Sequence, residues 1–130
     1  DFLITEESAN IIIRPHLGEG DLLWVSEVMN IISEWRVYVF NGKIKDIRPY
    51  GKFEWNPPEF ELDFKVISDI INDYESSPIA YTIDVAVCDD CETRLIEIND
   101  MWAIGNYGMD SYDYFKLLRA RWEEITNDIK

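Results

Sequence analysis

Alternating apolar and polar positions predict strands in several short segments of the chain. Residues 35–40 alternate and are rich in aromatic and β-branched side chains, which favour extended structure. Asn41 and Gly42 follow at once, and this dipeptide is the strongest short-range signal for a hairpin turn. We therefore predict that residues 35–40 pair with residues 43–47. Further strands are predicted over residues 11–13, 22–25, 80–87 and 94–98.

The hydrophobic period changes to that of a helix between residues 59 and 75. Apolar side chains recur there at spacings of three and four, which lays one apolar stripe along a helix. A second helix is predicted to begin near Asp110 or Ser111, both good N-cap residues. The residues expected to face the core are Phe60, Phe64, Ile67, Ile71 and Tyr74 in the first helix, Tyr114, Leu118, Trp122 and Ile125 in the second, and Trp102 between the last strand and the second helix.

The order of these elements is strand pair, helix, strand pair, loop, helix. An antiparallel sheet with helices packed on one face accounts for this order, so the predicted fold class is α+β. At 130 residues the chain fits one domain. We place this domain at residues 21–130, with residues 1–20 as a poorly defined amino-terminal segment that is a remnant of another lobe or an appendage.

The charge balance narrows the classes of partner. Twelve basic and 26 acidic residues give a formal net charge of −14, which argues against binding to nucleic acid or to anionic membranes, since both need cationic surface. No apolar run approaches the ~20 residues of a membrane span, and a cytoplasmic location is expected. Cys88 and Cys91 are too few for a disulfide framework, and the single histidine, His16, is distant. We interpret the two cysteines as part of a hairpin turn.

Acidic residues interrupt the last two predicted strands. Asp84 is the one acid in an apolar strand, and burying a lone carboxylate is costly unless a cation or hydrogen bonds compensate. Glu97 and Asn99 are two residues apart and share a face of the next strand. If paired residues have numbers that sum to 181, Asp84 lies opposite Glu97, whereas a slip of one residue places Glu97 beside Ile83.

Two interpretations of this carboxylate pair stay open from spacing alone. Facing carboxylates repel each other, and a divalent cation removes that penalty; magnesium prefers carboxylate and phosphate oxygens. Asn99 adds a neutral oxygen that completes such a site. The alternative is an edge hairpin whose polar face meets water and whose acids serve solubility.

The same residues resemble the ATP-grasp superfamily, in particular its glutathione-synthetase-like and ribosomal-glutamate-ligase-like members, including shortened forms found in phage and bacterial genomes. Those enzymes carry an aspartate on one strand and, thirteen residues later, Glu-x-Asn on the next, as do Asp84, Glu97 and Asn99. The resemblance covers about residues 22–126. It implies the carboxyl-terminal catalytic lobe of such an enzyme, ATP and Mg2+ as cofactors, and these three residues as metal ligands.

The resemblance extends upstream to a hinge-like segment. Glu27, Val28 and Met29, followed by Glu34, are similar to the family's hinge between lobes. This implies that the first three contact adenine and that Glu34 binds the ribose hydroxyls.

Three cations complete the implied site. Arg36 lies in a segment that also resembles the family, and it is implied to hold phosphate or a substrate carboxylate. Lys52 is assigned a catalytic role beside it, and Arg48 a role in steadying nucleotide phosphates. The loop that follows Asp100, with Gly105 and Gly108, resembles the shortened forms.

The activity implied is ATP-dependent ligation of a carboxylate to an amine of a peptide or amino acid through an acyl phosphate. The residues before Glu27 are too few for the family's amino-terminal lobe and flap, and Thr82 stands where the family often has arginine. Two other classes therefore stay open: a nucleotide-binding module without catalysis, and an acidic inhibitor of a basic host-protein surface. The partner expected is a small-molecule or peptide substrate, with a protein partner or a separate amino-terminal domain as a further expectation.

Overall fold

The computed structural model describes residues 18, 20, 28–50 and 62–127. The strands are β1 (Ile31–Phe40), β2 (Lys43–Tyr50), β3 (Ala80–Cys88) and β4 (Thr93–Asp100), the helices are α1 (Phe64–Asp73) and α2 (Ser111–Asn127), and a 3-10 turn spans Met101–Ala103. The four strands form one antiparallel sheet in the order β2-β1-β3-β4. The predicted α+β class is confirmed, while the strands predicted at residues 11–13 and 22–25 lie outside the described residues. Neither α1 nor α2, the two helices described, has the length and apolar character needed to cross a bilayer.

The turn between β1 and β2 has the backbone that its sequence predicts. Asn41 has a φ of 51° and Gly42 a φ of 68°, so both adopt the left-handed conformation that a type I′ hairpin turn requires. The pairing of the two strands shifts register once, between Tyr38 and Val39. The predicted hairpin is thus confirmed, and β2 extends beyond the predicted end at residue 47.

Helix α1 begins where Asp63 caps it. The Asp63 carboxylate accepts hydrogen bonds from the backbone N–H groups of Lys65 at 2.8 Å and Val66 at 3.4 Å, which satisfies donors that have no partner within the first turn. Ile67 anchors the helix in the core on one face of the sheet. The buried residues of this core are Val37, Val39, Ile67, Tyr81, Ile83 and Val85.

Helix α2 lies against the other face of the sheet. Asp110 accepts hydrogen bonds from the backbone N–H groups of Tyr112 and Asp113, both at 3.0 Å, which confirms the predicted start. The buried core beneath α2 contains Tyr38, Ala80, Met101, Met109 and Leu117. Tyr38 and Ala80 alternate along their strands with the residues under α1, so they face the opposite way. This differs from the expectation of helices on one face, because an apolar stripe does not indicate which face of a sheet it will meet.

Three aromatic residues expected in the core are exposed: Phe64 at 57%, and Trp102 and Trp122 at 64% each. For these side chains the core prediction is wrong. A spacing of four residues exceeds the 3.6 residues of one helical turn, so a stripe drawn in steps of four from Tyr114 has turned away from the sheet by Trp122. Leu117, three residues after Tyr114, is the fully buried residue of α2.

Charged side chains join the last turns of α2 to the sheet. Arg121 Nε donates to both carboxylate oxygens of Asp100, at 2.8 and 3.0 Å, and its Nη2 donates to Oδ2 at 2.5 Å. Its Nη1 donates to Glu124 at 2.7 Å. Glu124 in turn accepts the backbone N–H of Ile79, just before β3, at 3.1 Å. Because Asp100 ends β4, these contacts fix the helix beside the ends of two adjacent strands.

Candidate functional site

Strands β3 and β4 pair in the register expected from the sequence. Asp84 lies opposite Glu97, and Thr82 lies opposite Asn99; the register shifts only between Asp84 and Val85. Partners across strands and alternate residues along a strand share a face of the sheet, so the side chains of the two pairs lie together. The predicted pairing of Asp84 with Glu97 is confirmed.

On its other side, Asp84 faces Arg36 of β1. The Arg36 guanidinium donates from Nε to Oδ1 of Asp84 at 2.8 Å and from Nη2 to Oδ2 at 2.6 Å. Both residues are 2% exposed, so they form a buried bidentate ion pair. The alternative that Asp84 faces water and serves solubility is therefore excluded, although Glu97 opposite it is exposed.

The carboxylates of this face make further negative charge unfavourable. Burial raises the pKa of Asp84 above its ordinary value of 3.8, with Arg36 opposing the rise and the nearby Glu97 adding to it. Burial also raises the pKa of Glu34 above 4.5, and repulsion from Asp84 and Glu97 raises it further. Glu34 precedes Arg36 by two residues on β1 and therefore points to the same face. A cation bound at this face would relieve the repulsion among the three acids.

The oxygen atoms available on this face suit a hard divalent cation. Two carboxylates, Asp84 and Glu97, and the amide oxygen of Asn99 are the donor types that magnesium takes from proteins. The described part of the chain contains no group of three or more His, Cys, Asp or Glu side chains that could hold a metal ion. A magnesium ion here would accordingly use two carboxylates and one amide, with ligand phosphate oxygens or water completing its shell. The Asn99 amide is not fully used internally, since its buried Nδ2 has no hydrogen-bond partner among the described residues.

Two tyrosines that the sequence did not single out lie beside Arg36. The Tyr107 ring is centred 4.7 Å from the guanidinium carbon of Arg36, a cation–π distance. Tyr38 donates from its hydroxyl to the carbonyl of Gly105 at 2.7 Å, and burial raises its pKa to about 12. Alternation along β1 was enough to find Tyr38, which shares the face of Arg36. No local pattern indicates Tyr107, because the loop that carries it is distant in sequence.

The predicted adenine contacts are only partly described. Glu27 lies outside the described residues, as does the predicted catalytic residue Lys52. Val28, which is 76% exposed, and Met29, which is half-buried, directly precede β1. They therefore lead into the strand that carries Glu34.

Arg48 lies opposite Arg36 in the pairing of β2 with β1. Its Nε donates to Asp46, two residues earlier on the same strand, at 2.8 Å. Both members of this pair are partly exposed, so Arg48 sits at the margin of the site with an acid of its own strand. The predicted residues that the structure brings to one face are Glu34, Arg36, Arg48, Asp84, Glu97 and Asn99.

The comparisons with known proteins agree with this geometry. A family model described as an ATP-grasp domain, family 2 of its clade, matches residues 3–117. No curated protein and no solved structure matches the chain. The matched span contains all four strands, α1 and every predicted site residue. The resemblance to ATP-grasp enzymes is confirmed, and the chain belongs to the ATP-grasp superfamily, in the family that this model describes.

Proposed function

We propose that the chain is an ATP- and magnesium-dependent ligase that joins a carboxylate to an amine of a peptide or amino acid through an acyl phosphate. The observation that carries this proposal is the facing pair Asp84 and Glu97, with Arg36 bound to Asp84 from the other side. Membership of the ATP-grasp superfamily supports nucleotide binding in general. The choice of a ligase, and of magnesium, rests on the chemistry of these side chains.

Asp84, Glu97 and Asn99 would hold the metal ion, which when bound would neutralise phosphate charge during phosphoryl transfer. Both oxygens of Asp84 accept hydrogen bonds from Arg36, at 2.8 and 2.6 Å. Each carboxylate oxygen has a second lone pair, so the ion pair leaves room for a metal. Arg36 would then fix the orientation of the Asp84 carboxylate, as partners of metal ligands commonly do.

The nucleoside would lie along the start of β1. Glu34 is half-buried and shares the face of Arg36, so its carboxylate would accept hydrogen bonds from ribose hydroxyls. Val28 and Met29 directly precede this strand and would meet the adenine ring with apolar side chains and backbone groups. Arg48, paired across from Arg36, would contact phosphate oxygens.

In the proposed reaction, transfer of the terminal phosphoryl group of ATP to a substrate carboxylate gives an acyl phosphate and ADP. Attack by an amine then breaks the acyl–oxygen bond, forms the amide and releases phosphate. Phosphoryl transfer needs mainly positioning and charge neutralisation. The buried pair of Arg36 and Asp84 supplies positioning, because neither side chain can turn without losing two hydrogen bonds.

The test is calorimetric titration of ATP, with and without magnesium, into the wild type and Glu97→Gln. Glu97 is exposed, so its amide variant keeps the fold while removing one carboxylate of the pair. We expect magnesium-dependent binding in the wild type that is weakened about tenfold to a hundredfold in the variant. Glu92→Gln is the matched control: it removes an exposed acid of the same hairpin that pairs with Arg94, and binding should be unchanged.

Two outcomes decide between the proposed function and its alternatives. A folded wild type that does not bind ATP with magnesium sinks the nucleotide function and favours an acidic inhibitor. Binding without ADP formation, when amino acids and peptides are offered as acceptors, favours a nucleotide-binding module that lacks catalysis.

A further inference from the structure

Two polar groups next to the carboxylate pair are buried without a hydrogen-bond partner among the described residues. They are the Thr82 hydroxyl and Nδ2 of Asn99. Thr82 is fully buried in the central strand β3, and its partner across the strands is Asn99. Folding normally pairs or hydrates such groups, so two of them side by side indicate a position that something else fills.

The two groups have the chemistry of a binding site for one oxygen atom. A hydroxyl and an amide N–H can both donate a hydrogen bond to the same acceptor. Asp84 and Glu97 are the next cross-strand pair on this face, and their charge would repel an anionic oxygen that arrived alone. A phosphate oxygen that arrives with a divalent cation satisfies the donors and the acids together.

We propose that Thr82 and Asn99 together bind one phosphate oxygen of the magnesium-bound nucleotide, an inference that rests on the function proposed above. Thr82 thereby becomes a ligand-binding residue. It contributes a neutral donor in a place where a cationic side chain would compete with the metal ion held by Asp84 and Glu97. Asn99 uses its two amide atoms for two purposes, the oxygen for the metal and the nitrogen for the phosphate.

Access to the two donors requires movement of the loop that follows the 3-10 turn, since both atoms are closed to solvent. In the described part of the chain, this loop lies over Tyr38, the residue opposite Thr82 on β1. Its Gly105 carbonyl accepts the Tyr38 hydroxyl at 2.7 Å. Tyr107, on the same loop, rests on Arg36 with a left-handed φ of 42° and is 47% exposed. A left-handed backbone is unfavourable for a bulky residue, so the covering position of Tyr107 is not its most relaxed one.

The test compares Thr82→Val with Thr82→Ser and Thr93→Val. Thr82→Val keeps the shape of the side chain and removes the unpaired hydroxyl, whereas Thr82→Ser keeps the hydroxyl. Thr93→Val is the matched control, because the Thr93 hydroxyl accepts the backbone N–H of Asp63 at 2.9 Å and lies away from the acids. Two quantities are measured for each protein: the thermal midpoint without ligand, and the affinity for ATP with magnesium by calorimetry.

We expect Thr82→Val to keep or raise the thermal midpoint, because it removes a buried polar group that has no partner. Its affinity for magnesium–ATP should fall about tenfold, the loss expected for one hydrogen bond to a charged group. Thr82→Ser should bind like the wild type. Thr93→Val should lower the midpoint and leave the affinity unchanged.

The outcomes separate this inference from the proposed function. If the wild type binds magnesium–ATP and Thr82→Val binds it equally well, the inference is wrong and the function stands. If Thr82→Val lowers the midpoint as much as Thr93→Val does, the hydroxyl is already bonded in the free protein, to an ordered water, and the inference is again wrong. A wild type that does not bind magnesium–ATP overturns both.

Discussion

Arg36 and Asp84 are joined by two hydrogen bonds across adjacent strands in the middle of the sheet, and neither side chain reaches solvent. Removing one member of such a pair leaves an uncompensated buried charge, which costs far more than an exposed pair contributes. The carboxylate of Glu97, directly opposite Asp84, is not neutralised by this pair. The face therefore combines a rigid, paired carboxylate with a second one at the solvent boundary.

Asp84→Asn is expected to lower the free energy of unfolding by about 3–5 kcal/mol, because it leaves the buried Arg36 charge without a carboxylate. Urea unfolding at neutral pH measures this change. Glu97→Gln is the control, since this side chain is exposed and its substitution should change stability by less than about 0.5 kcal/mol. Equal destabilisation by the two substitutions would mean that the ion pair does not hold Asp84 as described.

Glu34→Gln is expected to stabilise the protein near neutral pH. Burial first, and then repulsion from Asp84 and Glu97, raises the pKa of Glu34 above 4.5, so the folded state disfavours its charged form. The cost of that charge appears as the pH rises from the ordinary pKa through the raised one, and it is absent below 4.5, where the group is protonated in both states. The gain from the substitution should therefore vanish in acid. Urea unfolding of both proteins between about pH 4 and pH 7 measures it; a gain that does not depend on pH would contradict the charge repulsion.

How much of this arrangement the sequence could predict depends on whether the signal was local. The hairpin turn at Asn41 and Gly42 and the N-cap at Asp110 were predicted from two or three adjacent residues, and both are confirmed. The facing of Asp84 and Glu97 was also predictable, because one hairpin register sets it and a slip would have reversed the faces of β4.

The rest of the site depends on pairings that no local pattern specifies. Strand β1 packs between β2 and β3, and only that order brings Arg36 to Asp84 from outside the last hairpin. Tyr107 reaches Arg36 through a loop whose path is set by contacts such as the Tyr38 hydroxyl with Gly105. The exposure of Trp122 follows from the rotation of α2, which is fixed by Leu117 and not by the apolar spacing alone.

Gly42→Ala tests the backbone of the first hairpin. With a φ of 68° and no atom within 4 Å of an added Cβ, the substitution meets no steric contact, so its cost arises from the left-handed backbone alone. We expect a loss of about 1 kcal/mol in the free energy of unfolding. Gly42→Asn should lose less, since Asn tolerates this conformation. Alanine and asparagine variants as stable as the wild type in urea would show that the turn adopts another conformation.

Arg121→Gln is expected to loosen α2 from the sheet. Arg121 makes three hydrogen bonds to Asp100 and one to Glu124, and it is only partly exposed. Because solvent screens part of this network, the expected loss is about 1 kcal/mol in the free energy of unfolding at pH 7. The matched control is Arg119→Gln on the same helix, whose exposed pair with Glu123 should contribute less than about 0.5 kcal/mol.

The dependence on pH identifies the contact responsible. Hydrogen bonds from Arg121 hold the pKa of Asp100 below its ordinary value of 3.8. A carboxylate with a depressed pKa stabilises the fold above the ordinary value, and this contribution is lost as the pH falls through the depressed pKa. The difference between wild type and Arg121→Gln should therefore be full at about pH 7 and shrink below pH 3.8, as measured by urea unfolding at a series of acid pH values. A difference that persists undiminished in strong acid would show that Arg121 acts through packing of its aliphatic stem and not through Asp100.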